Sequence, residues 1–196
     1  MATLFRDEPV LRLRALLGAA AFGTFSVFWT SMAFLLAAPP HGLSPSAIGL
    51  VGLVGAAGAL AASGAGRLAD RGRGDWVTGG GLLILLSSWA PLALAQHSLL
   101  AFLVGVVLLD LAVQGVHISN QAAIYRIRPE ARNRLTAAYM TSYFLGGAAG
   151  SLVSATAFSH FGWVGVVVAG ASFSACGGIV WTAMKVGLPL GRPAGE

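Results

Sequence analysis

Leu135 to Met184 reads LTAAYMTSYFLGGAAGSLVSATAFSHFGWVGVVVAGASFSACGGIVWTAM, without one Asp, Glu, Lys or Arg. A membrane-spanning helix needs about 20 apolar residues at about 1.5 Å each, so a run of roughly fifty is too long for one helix and suits two. Ser159-His160-Phe161-Gly162, near its middle, supplies the turn. The same design occurs twice more. Charges fall into four clusters, Arg6–Arg14, Arg67–Asp75, Arg126–Arg134 and Lys185 to Glu196, and the three blocks between them hold one charge, Asp110. The first block is broken by Pro39-Pro40-His41-Gly42-Leu43-Ser44-Pro45 and the second by Gln96-His97-Ser98, residues that stop helices and favour turns. The predicted spans are 15–38, 46–66, 76–95, 99–125, 135–158 and 163–184, making one six-helix transmembrane domain over 1–196.

Composition points the same way. The chain is 56% hydrophobic and 10% charged, whereas soluble domains carry roughly 25% charged residues. A chain this size has too little interior to hide that apolar surface from water, so the bilayer is its solvent. The net charge of +5 does not signal nucleic acid, because the basic residues sit in short clusters beside apolar blocks rather than on one face. All twelve Lys and Arg lie in the four clusters and none in the three turns. Basic residues accumulate on the cytoplasmic side of short loops, so both termini and both charged loops are expected in the cytoplasm. The uncharged stretch Ala15 to Ala38 is longer than the roughly 7–15 residues of a signal-peptide core, which predicts a first span instead of a cleaved leader. Heavy use of Ala, Gly and Arg points weakly to a bacterial source, hence an inner membrane. A closed barrel would need alternating polarity over strands of about ten residues, and the runs here are continuous. The fold class predicted is all-α, a polytopic six-helix bundle.

Small residues mark where these helices approach. Gly49, Gly52, Gly55, Gly58, Ala62, Gly64 and Gly66 recur along the second span, and Gly146, Gly147, Gly150 and Ser151 along the fifth. In lipid, helices associate by close packing at such residues. The spacing suits either fixed packing or an interface that slides.

Asp110 stands alone in the middle of the fourth span. A carboxylate there costs about 2.5–3.5 kcal/mol on insertion scales and is a functional-site hypothesis by default. Gln114, His117 and Gln121 follow at spacings that put all four within roughly a 60° arc at 100° per residue. This polar stripe could hydrogen-bond a neighbouring helix for packing, or line a watery cavity with Asp110 as proton or cation acceptor and its neighbours contacting substrate. Trp29, in the first span, lies too deep for an interfacial belt and suits stacking on substrate or packing. His41, His97 and His160 fall in the turns, and no metal-ligand spacing is present. Cys176 lies alone in an apolar run, as a packing residue. Ser63 with His117 does not make a hydrolase dyad, since Ala61 removes the Gly-x-Ser-Gly context. No catalytic residue is nominated and no enzyme activity or cofactor is expected.

The loop Gly66-Arg67-Leu68-Ala69-Asp70-Arg71-Gly72-Arg73-Gly74 resembles the short cytoplasmic signature of the major facilitator superfamily, G-x-L-A-D-R-x-G-R, matching from Gly66 to Arg71 and then reversing the final Gly and Arg. That order suits the degenerate copy in the second half of such transporters. Leu109 to Gly115 with Ser119-Asn120-Gln121 resembles the tenth helix of bacterial efflux-type members. Arg132 to Leu135 and Tyr143 to Ser151 are similar to that group too. The resemblance covers the whole chain but only the carboxyl-terminal half of a twelve-helix fold, itself two inverted three-helix repeats. It implies that the first and fourth spans line the central cavity, the second and fifth form the moving interface, and the third and sixth support them from outside. It further implies Asp110 as the proton-coupling residue, Trp29, Gln114, His117 and Gln121 as substrate contacts, and Asp70 and Arg71 as a cytoplasmic gate. The expected activity is half of a secondary transporter exporting a small organic molecule, driven by the proton gradient without a cofactor. Its other wall would come from a missing amino-terminal half, a separate chain or a second copy. Met1 is followed by a short charged segment that suits the linker before a seventh helix, which favours truncation. A transport-incompetent fragment or membrane scaffold subunit is the alternative.

Overall fold

In the computed structural model, residues 2–127 and 129–186 are described. A short helix α1 (Ala2–Asp7) leads into α2 (Pro9–Ala37), which starts on a proline whose missing N–H is no loss in a first turn. After a turn containing Gly42 at φ 54°, α3 (Pro45–Ala61) again begins with proline, and the Ser44 side chain accepts from the Ala47 amide at 3.3 Å. The chain continues as α4 (Ser63–Leu68), a wide helical turn (Ala69–Arg73) and α5 (Gly74–Ser87). Gly72, at φ 81°, reverses the direction in a conformation that side-chain-bearing residues avoid. Next come α6 (Trp89–Ala93), α7 (Leu99–Tyr125), a 3-10 turn (Pro129–Ala131) and α8 (Arg132–Lys185).

Two of the predicted spans are interrupted. The stretch 46–66 breaks at Ala62, and 76–95 breaks at Ser88. The second break has a direct cause, since the Pro91 ring clashes with the carbonyl four residues back, at Ser87. Conversely, α8 runs through Ser159-His160-Phe161 without unwinding and turns only at Gly162 (φ 60°, ψ −149°). It therefore has an outward limb (132–161) and a returning limb (163–185). Among the described residues, four helical stretches, Pro9–Ala37, Arg71–Ala93, Leu99–Tyr125 and Arg132–Lys185, are long and apolar enough to cross a membrane; Pro45–Gly58 is a shorter apolar helix.

Contacts along α2 give the course of the neighbouring helices. Ascending α2, the outward limb of α8 places Tyr139 on Gly18, Gly146 on Ala19 and Ser154 on Ser31. Beyond Gly162 the order inverts, with Trp163 beside Phe28, Ser174 bonded to Thr24 and Trp181 against Arg14. Helix α7 runs opposite to α2, from Phe102 against Phe28 to Asn120 at Arg14. Helix α5 opposes α7 in turn, pairing Thr78 with Ser119 at one end while Leu92 of α6 packs under Gly105 at the other. The result is an all-α bundle in which the helix ends bearing Arg14, Asp75, Arg126 and Lys185 gather on one side. Several polar groups inside are paired between helices. Ser154 Oγ donates to the Val27 carbonyl at 2.6 Å, Trp89 Nε1 to Ser174 Oγ at 3.1 Å and Trp163 Nε1 to the Leu92 carbonyl at 2.7 Å. Such bonds matter because lipid offers no water to satisfy those groups.

Candidate functional site

Helix α7 carries Asp110 where α2 and α3 both touch it. The carboxylate is buried, at 4% exposure. Trp29 Nε1 of α2 donates to its Oδ1 at 3.4 Å, while Oδ2 has no hydrogen-bond partner. Above Oδ2 lies the backbone of α3. A Cβ added to Gly55 would stand 2.5 Å from Oδ2 and 2.8 Å from Trp29 Cζ2, and one on Gly58 would stand 2.7 Å from the Val107 carbonyl. These two glycines let α3 pack directly on Asp110 and the α7 backbone. They bring bare helix backbone against an acidic group that is buried with an open acceptor, the situation in which a proton or cation is most favoured.

The rest of the stripe shares the face. Gln114, His117 and Gln121 are each half-buried. His117 Nδ1 and the Tyr139 hydroxyl share a hydrogen bond of 3.0 Å, and the imidazole lies 4.7 Å from the Tyr143 ring centre. From Tyr143 a file of rings leads back to the acid. Tyr143 stacks on Phe22 at 4.2 Å, Phe22 on Phe25 at 5.4 Å, and Phe25 adjoins Trp29 at 5.8 Å. Trp29 thus joins the Asp110 end of the stripe directly, and His117 joins it through aromatic neighbours. Phe22, Phe25, Tyr139 and Tyr143 were missed in the sequence. A faint signal existed, since Phe22, Phe25 and Trp29 recur at helical spacing and so share a face of α2.

The charged end of the bundle has its own constellation. Arg14 is buried and donates to Thr78 Oγ1 at 2.8 Å, Asn120 Oδ1 at 3.3 Å and Asp75 Oδ1 at 3.4 Å. Asp75 also pairs with Lys185, and the Trp181 ring underlies both cations, 5.4 Å from Arg14 and 4.9 Å from Lys185. A hollow of about 210 Å³ adjoins this cluster, lined in part by Arg14, Ser119 and Arg126. The cross-helix pairing at this end accordingly runs through Arg14, Asp75 and Lys185. Of the expected gate residues, Arg71 is exposed on the wide turn, and the side chain of Asp70 lies outside the described residues. Among the described residues, no three His, Cys, Asp or Glu side chains group to hold a metal ion.

Comparison with known proteins agrees with this architecture. Residues 15–194 match the family model described as Major Facilitator Superfamily. The putative uncharacterized transporter YgaY of Escherichia coli (strain K12) is 57% identical over 179 residues, covering 91% of this chain and 45% of that protein. The uncharacterized transporter YgaY of Escherichia coli O157:H7 matches to the same extent. The probable transporter SCO4007 of Streptomyces coelicolor is 33% identical over 194 residues, covering 97% of this chain and 43% of that protein. The chain spans about half the length of the curated relatives it matches. No solved structure matches it.

Proposed function

The chain belongs to the major facilitator superfamily, and from that premise we propose that it forms one half of a proton-coupled exporter of a small organic molecule. One observation carries the reading. Asp110 is buried in the apolar middle of α7 with Oδ2 unpartnered beneath Gly55, on the face that also bears Gln114, His117 and Gln121. In this reading Asp110 takes up and releases the coupling proton. Trp29 and the three polar neighbours contact substrate, which the ring file from Trp29 to Tyr143 would flank. The protein would sit in the bacterial inner membrane with both termini in the cytoplasm, since the basic residues collect at one end of the bundle. Asp70 and Arg71 would gate that end, alongside the Arg14–Asp75–Lys185 cluster. The facing wall would come from a second six-helix half, supplied by an amino-terminal half, a separate chain or another copy.

The test is Asp110→Asn in the assembled carrier, reconstituted in vesicles with an imposed pH gradient. Transport should lose its dependence on that gradient. A pH dependence equal to wild type overturns the proton role.

The half-length coverage favours a second reading, a transport-incompetent fragment or membrane scaffold subunit. Purification as a stable homodimer supports the transporter half; a monomer rapidly degraded in cells supports the fragment.

A further inference from the structure

On the side of the bundle away from the Asp110 face, α5 and the returning limb of α8 leave a groove between them. It consists of two hollows, about 600 Å³ and 380 Å³, that share Gly79, Leu83 and Trp181 and so form one channel. Leu82 and Trp181 lie at its floor, and glycines on both helices leave space beside them. A Cβ on Gly80 or Gly178 would meet nothing within 4 Å. The rim is apolar and open, with Leu83 66% and Ile179 65% exposed. Gly79 to Leu86 spans about 10 Å of helix at 1.5 Å per residue, roughly two-thirds of the ~15 Å hydrocarbon depth of one leaflet.

The groove has a charged mouth at one end only. Asp75 there serves two cations, Arg14 at 3.4 Å and Lys185. One carboxylate against two cations leaves one net positive charge. Arg14 is enclosed by its bonds to Thr78 and Asn120, while the Lys185 and Asp75 side chains are both open at the mouth, 47% and 55% exposed, with Lys185 over the Trp181 face. Trp76, 80% exposed, stands beside it as an amphipathic ring of the kind that settles at headgroup level.

An apolar slot of acyl-chain shape ending in a triad of one net positive charge and an exposed tryptophan is complementary to a lipid carrying one negative charge. We infer that this groove is a binding site for an anionic glycerophospholipid of the leaflet on the charged side, with one acyl chain between α5 and the returning limb of α8 and the phosphate on Lys185. The lipid would brace α5 against α8 at the end where Asp75 and Lys185 tie them. The two cations together outweigh the half-exposed Asp75 carboxylate, so the triad still attracts the phosphate.

Native mass spectrometry of the full chain, released from nanodiscs of equimolar phosphatidylglycerol and phosphatidylcholine, tests this. Wild type should retain one phosphatidylglycerol per chain, favoured at least about fivefold, the factor expected for one basic residue at an anionic surface. Lys185→Gln should bring the two lipids to parity. Gly178→Leu, which projects into open groove space and favours helix, should reduce retention of both lipids at least about fivefold; Gly80→Leu provides the same block from the α5 side. Equal lipid retention in wild type, Lys185→Gln and both leucine variants overturns the site. So does a lipid-free dimer that Gly178→Leu dissociates, which would make the groove a contact between copies of this chain.

Discussion

Replacing Gly150 by alanine should separate α2 from the outward limb of α8. A Cβ there would stand 2.9 Å from both the Cα and the carbonyl carbon of Gly23, and one on Gly146 would stand 2.6 Å from the same two atoms of Ala19. Carbon atoms in good contact sit about 3.5–4.0 Å apart. The obstacle is helix backbone, which cannot rotate aside, so the helices must part by about 1 Å. Such a gap forfeits a quarter to a half of each contact well of about 0.1–0.2 kcal/mol, and across about forty atom pairs that is about 2 kcal/mol. The seam also holds the Ser154–Ser31 pair at 2.7 Å and the Ser154–Val27 bond at 2.6 Å, each worth about 0.6 kcal/mol in a membrane bundle. Against these stands a gain of up to about 1 kcal/mol from replacing glycine in a helix. The net cost should be about 1–2 kcal/mol for Gly150→Ala, with a similar figure for Gly146→Ala. Gly52→Ala, where a Cβ would meet nothing within 4 Å, should be neutral or stabilising. Unfolding of the purified chain in mixed micelles of rising dodecyl sulfate fraction, followed by tryptophan fluorescence, measures the difference. The double variant should cost less than the sum, since one separation relieves both clashes. If Gly150→Ala unfolds at the same detergent fraction as Gly52→Ala, the close approach is not what holds α2 to α8.

Two further outcomes follow from the sites. Gly55→Ala should cost less stability than Gly58→Ala, because the atoms in its way are the ends of the Asp110 and Trp29 side chains, which can shift, whereas Gly58→Ala meets the Val107 carbonyl of the α7 backbone; transport by the assembled carrier should nonetheless fall sharply in Gly55→Ala, and the same unfolding assay ranks the two. Arg14→Ala should destabilise by about 1–3 kcal/mol by stripping Asn120 and Thr78 of their buried donor, with little added from half-exposed Asp75; Arg14→Lys should recover only part, since a single ammonium nitrogen lacks the planar spread by which Nη1 meets Thr78 and Asn120 while Nη2 meets Asp75, and full recovery in thermal unfolding would refute the forked geometry.

What could be read from the sequence was whatever one helix determines alone. Asp110 declared itself because a single carboxylate in an apolar run has few explanations, and its spacing to Gln114, His117 and Gln121 follows from the helical repeat without any partner. The helix breaks were legible where chemistry acts locally, as at Pro39-Pro40. They were less so at Ser159-His160-Phe161, where nothing forbids helix and the chain waits for Gly162 to supply the φ 60° that the reversal needs. Arg14 and Asp75 read as ordinary charges of two topology clusters, being 61 positions apart. Only the parallel courses of α2 and α5, with the returning limb of α8 running against them, bring them to one point with Lys185. The ring file was hidden for the same reason, since Tyr143 reaches Phe22 across the α2–α8 seam.

The glycines of α3 carry this lesson furthest. Along one helix they form an unremarkable small-residue stripe, equal in status to Gly49 and Gly52. Folding divides them. Gly49 and Gly52 meet nothing, while Gly55 and Gly58 press on Asp110, Trp29 and the α7 backbone. A helix packed through bare backbone can slide by fractions of an ångström without repacking side chains. Any such slide of α3 changes how much of Oδ2 is covered, while the Gln114, His117 and Gln121 face stays put on α7. In the proposed exporter, uptake of a proton at Asp110 and movement of α3 would then be coupled. That linkage requires glycine at position 55 in particular, which is why the alanine variant there separates a packing residue from a coupling one.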